Sequence, residues 1–229
     1  MVECHCDRFD QRFTADRAAR ELVRYRRHGP AKATARLIAA LQEDAIAGMT
    51  LLDIGSGIGV IPQTLLQSGV RDALDVDASA AYLAAARAEA ERLGLADRMH
   101  FVQGNFVALA ETIPIADIVT LDRVICCFDD MPALVGLSAA RAGRLYGIVM
   151  PRDTWWLRLF AWARNLVRRL TRSSMQFFVH AAADVDDVVR AHGLELRSAQ
   201  PVGMWQVVLY TRGQPYATRP GPSDAPDVM

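Results

Sequence analysis

The sequence predicts an α/β protein: a doubly wound, seven-stranded sheet, mostly parallel with an antiparallel last strand, covered by helices. Three observations carry this. Short apolar runs alternate with helical patterns through the middle of the chain, the signature of repeated strand–helix units. The first run, TLLDI at 50–54, passes into the glycine-rich DIGSGIG at 53–59, which opens a helix. The last two runs, 194–202 and 204–212, are separated by one glycine, too short a link for a parallel crossover, so they pair antiparallel.

The elements follow in order. Residues 14–27, TADRAARELVRYRR, form a charged helix that HGP at 28–30 breaks. A second helix runs from Ala31 to about Ala47, with Leu37, Ile38, Leu41 and Ile46 as its apolar stripe. After the first strand come a helix over 61–69, a strand at 72–77 and an alanine-rich helix over 80–94. Strands at 98–104 and 115–122, a helix over 131–143 with Pro132 near its start, and a strand at 144–150 continue the alternation. A last helix covers 183–193. This divides the chain into an N-terminal helical arm (1–47), a core domain (48–212) with an inserted helical segment (152–183), and a tail (213–229). Four prolines in the tail's 17 residues predict loose attachment.

Composition narrows the class. Hydrophobic residues make up 52% of 229, enough for a substantial core, and the formal net charge is zero. No global field draws the chain to nucleic acid, and no nucleic-acid partner is expected. Four cysteines do not make a disulfide framework. The polar N-terminus lacks an apolar leader, and no run of 18 apolar residues occurs. The expectation is a soluble, cytoplasmic protein with reduced thiols.

The glycine loop carries the chemistry. Gly55, Gly57 and Gly59 give G-x-G-x-G, whereas the dinucleotide fingerprint needs its third glycine where Val60 stands. No lysine follows, which excludes a phosphate-binding P-loop. Asp77 ends the next strand, 22 positions beyond Gly55, where a carboxylate accepts both hydroxyls of a ribose.

With these motifs the chain resembles a class I S-adenosylmethionine-dependent methyltransferase, whose fold is Rossmann-like. LLDIGSGIG matches that family's first motif and LDVDAS its second, and QGNF at 103–106 ends the third strand. IADIVTLD ends beside the methionine part of the cofactor. The resemblance covers about residues 48–212. It implies S-adenosyl-L-methionine as cofactor and a cofactor site made of Asp53, Gly55, Ser56, Gly57, Gly59, Asp77, Ala78, Asn105, Phe106 and Leu121, and no metal is expected. Asn105 stands where the family often has an acid near the adenine, and its carbonyl would accept from an amino group. Methyl transfer to a small molecule is the expected activity. A non-catalytic regulator or scaffold that binds the same cofactor is the alternative.

The additions bear on the acceptor. The inserted segment carries Trp155, Trp156, Leu159, Phe160, Ala163, Leu166, Val167 and Leu170 on one apolar face, with six arginines and one acid from 152 to 172. Three readings stand: a lid over an anionic or flat acceptor, an ordinary cap with solvated arginines, and a peripheral membrane contact through 155–172. A narrower similarity, in QFFVHAAADVDDVVRAHGLEL at 176–196 and LDRVI at 121–125, is to magnesium-protoporphyrin O-methyltransferases. These methylate a carboxylate of a flat anionic macrocycle. They carry a histidine shortly after the LD, where this chain has Cys126. By that likeness Tyr25, Asp122 and Cys126 are the candidate catalytic residues. An acceptor needing a base would draw on Tyr25, His28 or His180. For Cys126 and Cys127 a pocket wall, plain packing and, with Cys4, His5 and Cys6, a thiolate metal site are the readings.

Overall fold

The seven apolar runs form one sheet, in the order β3-β2-β1-β4-β5-β7-β6. In the computed structural model, which describes residues 14–170 and 176–213, the strands are β1 (Thr50–Ile54), β2 (Asp72–Asp77), β3 (Met99–Gln103), β4 (Ala116–Asp122), β5 (Ala142–Pro151), β6 (Leu194–Val202) and β7 (Trp205–Arg212). The first five pair in parallel. β7 runs antiparallel to both β5 and β6, so the reversed strand lies one place inside the sheet edge. Cys4, His5, Cys6 and the tail segment 214–229 lie outside the described residues.

The helices are α1 (Ala15–His28), α2 (Lys32–Gln42), α3 (Val60–Gln67), α4 (Ala80–Arg92), α5 (Phe106–Leu109), α6 (Met131–Arg141), α7 (Trp155–Leu170) and α8 (Ala182–Ala191). Successive strand residues point to opposite faces. Leu51, Ile118, Leu145 and Val207 therefore join Leu37, Leu41 and Leu65 on one side of the sheet. Leu52, Val119, Tyr146 and Val208 join Leu134, Val135, Val185 and Val189 on the other. The second helix stops at Gln42, short of the expected Ala47. Asp44 is drawn instead into an ion pair with Arg197 of β6.

One expectation is corrected. Leu121 does not face a ligand: it is fully buried in the core, because alternation along β4 sends only its neighbour Asp122 to the rim. The apolar stripe of α7 faces outward, and Trp155, Trp156, Leu159, Phe160, Ala163 and Leu166 are exposed. The buried row is Leu157 and Ala161. Asn165 then anchors the helix, exchanging hydrogen bonds of 2.9 Å with the backbone of Phe177 in both directions. The seat beneath, made by Cys126, Phe177, Met204 and Trp205, takes small side chains.

The arm is clamped by charge. Glu89 of α4 is buried and accepts from Arg92, at 2.7 and 2.9 Å, and from Arg26 of α1. The guanidinium of Arg92, reinforced by that of Arg26, holds the Glu89 carboxyl down at about 2 against the cost of burial. A lowered folded value stabilises above the ordinary value of 4.5 and loses that stabilisation as pH falls toward 2. Glu89→Gln should therefore cost about 2 kcal/mol in urea unfolding, flatten the acid dependence in that window, and speed trypsin cleavage at Arg20, Arg24 and Arg27. Unchanged stability and cleavage would show that the clamp does not hold the arm.

Candidate active site

The sheet order reverses between β1 and β4, and a cavity of about 820 Å³ opens there at the strands' C-terminal ends. The volume lies within the range of small-molecule sites. The loop after β1 forms its floor. Gly55, Gly57 and Gly59 all take left-handed φ, +68°, +61° and +78°, which other residues adopt at a cost. Gly55 is needed a second time: a Cβ there would lie 2.6 Å from Val124 Cγ2. Gly59 serves packing, not the cavity. Its Cβ would fall 2.8 Å from Gln63 Nε2 and 2.9 Å from Met99 Cε, and it does not line the opening. The third glycine of the motif thus seats α3 against its neighbours.

Carboxylates surround this turn. Asp77 lines the cavity, accepting from the Gly57 amide at 3.0 Å and the Ser79 amide at 2.8 Å. Asp53 is buried at the cavity wall and accepts from Thr120 Oγ1 at 2.6 Å. Burial, only partly opposed by that hydroxyl, pushes its carboxyl up to about 8. Asp75 is buried too and takes the hydroxyl of Ser56, so Ser56 braces the loop from behind. Burial also pushes Asp75 well above the carboxylate range. Its role is not visible in the sequence, where it is one more acid in a strand.

Ala78 and Phe106 line the cavity as expected, and so does Asn105. The Asn105 carbonyl already accepts from the Val107 amide at 3.1 Å and caps α5. That oxygen has a second lone pair and the amide nitrogen two protons, so the side chain can both accept and donate at the cavity.

The stretch LDRVICCFDD forms the opposite wall. Arg123 has φ +63°, the only non-glycine residue in the left-handed region among those described. That turn swings its guanidinium back onto Asp122, with Nε to Oδ1 at 3.0 Å and Nη2 to Oδ2 at 3.1 Å. Thr34 of α2 donates to the same carboxylate at 2.6 Å. Asp122 is therefore held from two sides, by Arg123 and by Thr34. Ile125–Cys127 is one 3₁₀ turn. It places both thiols on the cavity, Sγ atoms 3.9 Å apart, with Cys126 bonded to the Arg123 carbonyl at 3.2 Å. His180 braces the turn, its Nε2 3.2 and 3.0 Å from the carbonyls of Ile125 and Phe128. It does not reach the cavity. No cluster of three metal-binding side chains occurs among the described residues.

The cover comes from two places. Arg17, Glu21, Arg24, Tyr25 and His28 of α1 line one side, and Arg164, Gln176, Phe177, Met204 and Trp205 the other. Trp155 and Trp156 do not line it and stand exposed. No helix among the described residues is long and apolar enough to cross a membrane.

Known structures share this architecture. Magnesium protoporphyrin IX methyltransferase (ChlM) from Synechocystis PCC 6803 with bound SAH superposes with a TM-score of 0.66 at 18% identity, covering 80% of this chain and 83% of that one. The methyltransferase in complex with the Haloferax volcanii Trm112 activator gives 0.64 at 16% identity, covering 87% and 95%. An O-methyltransferase family 2 protein from Planctomyces limnophilus in complex with apigenin gives 0.59 at 18%, covering 73% and 52%. At such identities these likenesses show the fold alone. No curated protein sequence matches the chain. The family profile described as "Methyltransferase domain" matches residues 46–191, well over half the chain and all of the glycine loop, β2 and β4. The chain therefore belongs to the class I S-adenosylmethionine-dependent methyltransferase family.

Proposed function

We propose that this methyltransferase acts on a small anionic acceptor, held between α1 and the segment after α7. The observation that carries the proposal is the charge of the cover. Arg17, Arg24, Lys32, Arg123 and Arg164 line the cavity above the glycine loop. Glu21 meets Arg17 at 3.3 Å, and Asp122 meets Arg123. Among the described residues no carboxylate lies within ion-pair distance of Arg24, Lys32 or Arg164, so this end favours negative charge. Arg164 sits 5.2 Å over the ring of Phe177, an apolar face beside a cation that suits a flat carboxylate. ChlM, a structural neighbour, is named for a magnesium protoporphyrin substrate. That macrocycle is not proposed for this chain.

The residues present fit S-adenosylmethionine, which when bound supplies an activated methyl group and leaves as S-adenosylhomocysteine. Asp77, which lines the cavity, would hold the ribose hydroxyls, and Gly55 and Gly57 let backbone approach closely. Asn105 and Phe106 would meet the adenine. Asp53 would answer the ligand's positive charge, and Ser56 and Ala78 would shape the floor. Tyr25 would close the site from above. Cys126 and Cys127 would form the apolar wall beside the acceptor. A carboxylate acceptor is ionised at neutral pH and needs no base, which suits a site whose Asp122 is paired with Arg123. The protein's work is alignment and exclusion of water.

Two outcomes are expected. A cation near Asp53 favours its ionised form, so binding S-adenosylmethionine releases a proton below pH 8. Affinity should rise several-fold from about pH 6.5 to 8, more than for S-adenosylhomocysteine, and Asp53→Asn should abolish the difference. Parallel profiles would remove Asp53 from that role. With radiolabelled cofactor and a panel of carboxylate, phenol and amine acceptors, label should enter carboxylates as base-labile esters. Arg24→Gln and Arg164→Gln should each raise the acceptor KM about tenfold with cofactor Kd unchanged. Preferred labelling of amines would refute the anionic acceptor.

A further inference from the structure

The outer face of α7 is an anomaly in water. Trp155 is 77% exposed, Trp156 46%, Leu159 55%, Phe160 51%, Trp162 64% and Leu166 45%. These six, within twelve residues of one helix, are two thirds of the nine large apolar side chains that stand exposed among the described residues. Scattered exposed apolar residues need no explanation, but a contiguous patch marks a surface that something covers. The helix is held by the narrow row Leu157 and Ala161 and by Asn165, so the patch is not a by-product of weak seating.

Charge identifies the occupant. From Thr154 to Gln176 the sequence holds five arginines (Arg158, Arg164, Arg168, Arg169, Arg172) and no aspartate or glutamate. The nearest acid, Asp153, is paired with Arg158. The segment is thus net positive in sequence, and a second copy laid along it would bring like charge toward like charge. An anionic lipid surface supplies the opposite sign, and tryptophan, with an apolar body and one polar N–H, suits the headgroup boundary. Sixteen residues interrupted by arginines do not span a bilayer, so such a helix lies in its plane. We propose that α7 is an in-plane anchor that docks this protein on membranes rich in anionic lipid. The same helix carries Arg164 into the cavity wall, so the docked surface is the back of the cover over the acceptor end.

The test is flotation of the full chain with vesicles of phosphatidylglycerol and phosphatidylcholine against phosphatidylcholine alone, with tryptophan emission recorded. The anionic vesicles should bind roughly tenfold more tightly, shift the emission to the blue, and release the protein as salt rises. The double variant Trp155→Ser/Trp162→Ser should lose vesicle binding by at least about tenfold, with cofactor affinity and unfolding midpoint unchanged because both side chains are exposed. No binding to phosphatidylglycerol vesicles at low salt would overturn the proposal, as would undiminished binding by the variant. A concentration-dependent dimer that the variant converts to monomer would also overturn it and assign the face to a second copy.

Discussion

The hydrogen bond from the Gly57 amide to the Asp77 carboxylate, 3.0 Å long, ties the loop after β1 to the end of β2. The site depends on it. It forms only because Gly55, Gly57 and Gly59 take left-handed φ, and because the Gly55 amide also reaches the Val76 carbonyl at 2.7 Å. With the loop pinned to β2, backbone and carboxylate face one cavity where the strand order reverses. Behind it, Asp75 and Ser56 repeat the tie from the buried side.

A second tie organises the opposite wall. The bidentate contact of Arg123 with Asp122, completed by Thr34, joins β4 to the helical arm. The two ties act on different ends of the cavity. One fixes the floor through backbone donors, the other pairs the rim acid Asp122 with a cation. What remains above is a cover with cations of its own, positioned by Glu89 on one side and by Asn165 on the other. Each long charged side chain that lines the cavity thus stands on an element whose placement has a separate cause.

The strands and the glycine turn were legible because their signals are local. Apolar runs, a G-x-G spacing and an acid at a strand end are each read within a few residues. Which way a motif residue faces is not local. Gly59 and Leu121 belong to the motifs yet point into packing, the first against Gln63 and Met99, the second into the core by the alternation of β4. The rotation of α7 is not local either. Its hydropathy pattern marks a broad apolar face, but a shallow seat and the Asn165 anchor decide which row is buried. Arg123 at positive φ, and the pairing with Asp122 that follows, depend on a strained turn that no residue type announces.

Titration calorimetry with S-adenosylmethionine, on the native chain and on Asp77→Ala and Asp77→Asn, tests the central claim most directly. One site per chain should bind, NAD should not, and both substitutions should weaken binding by at least about tenfold, since the ribose acceptor is lost or halved. No heat at millimolar cofactor, or equal affinity in all three proteins, would contradict the account.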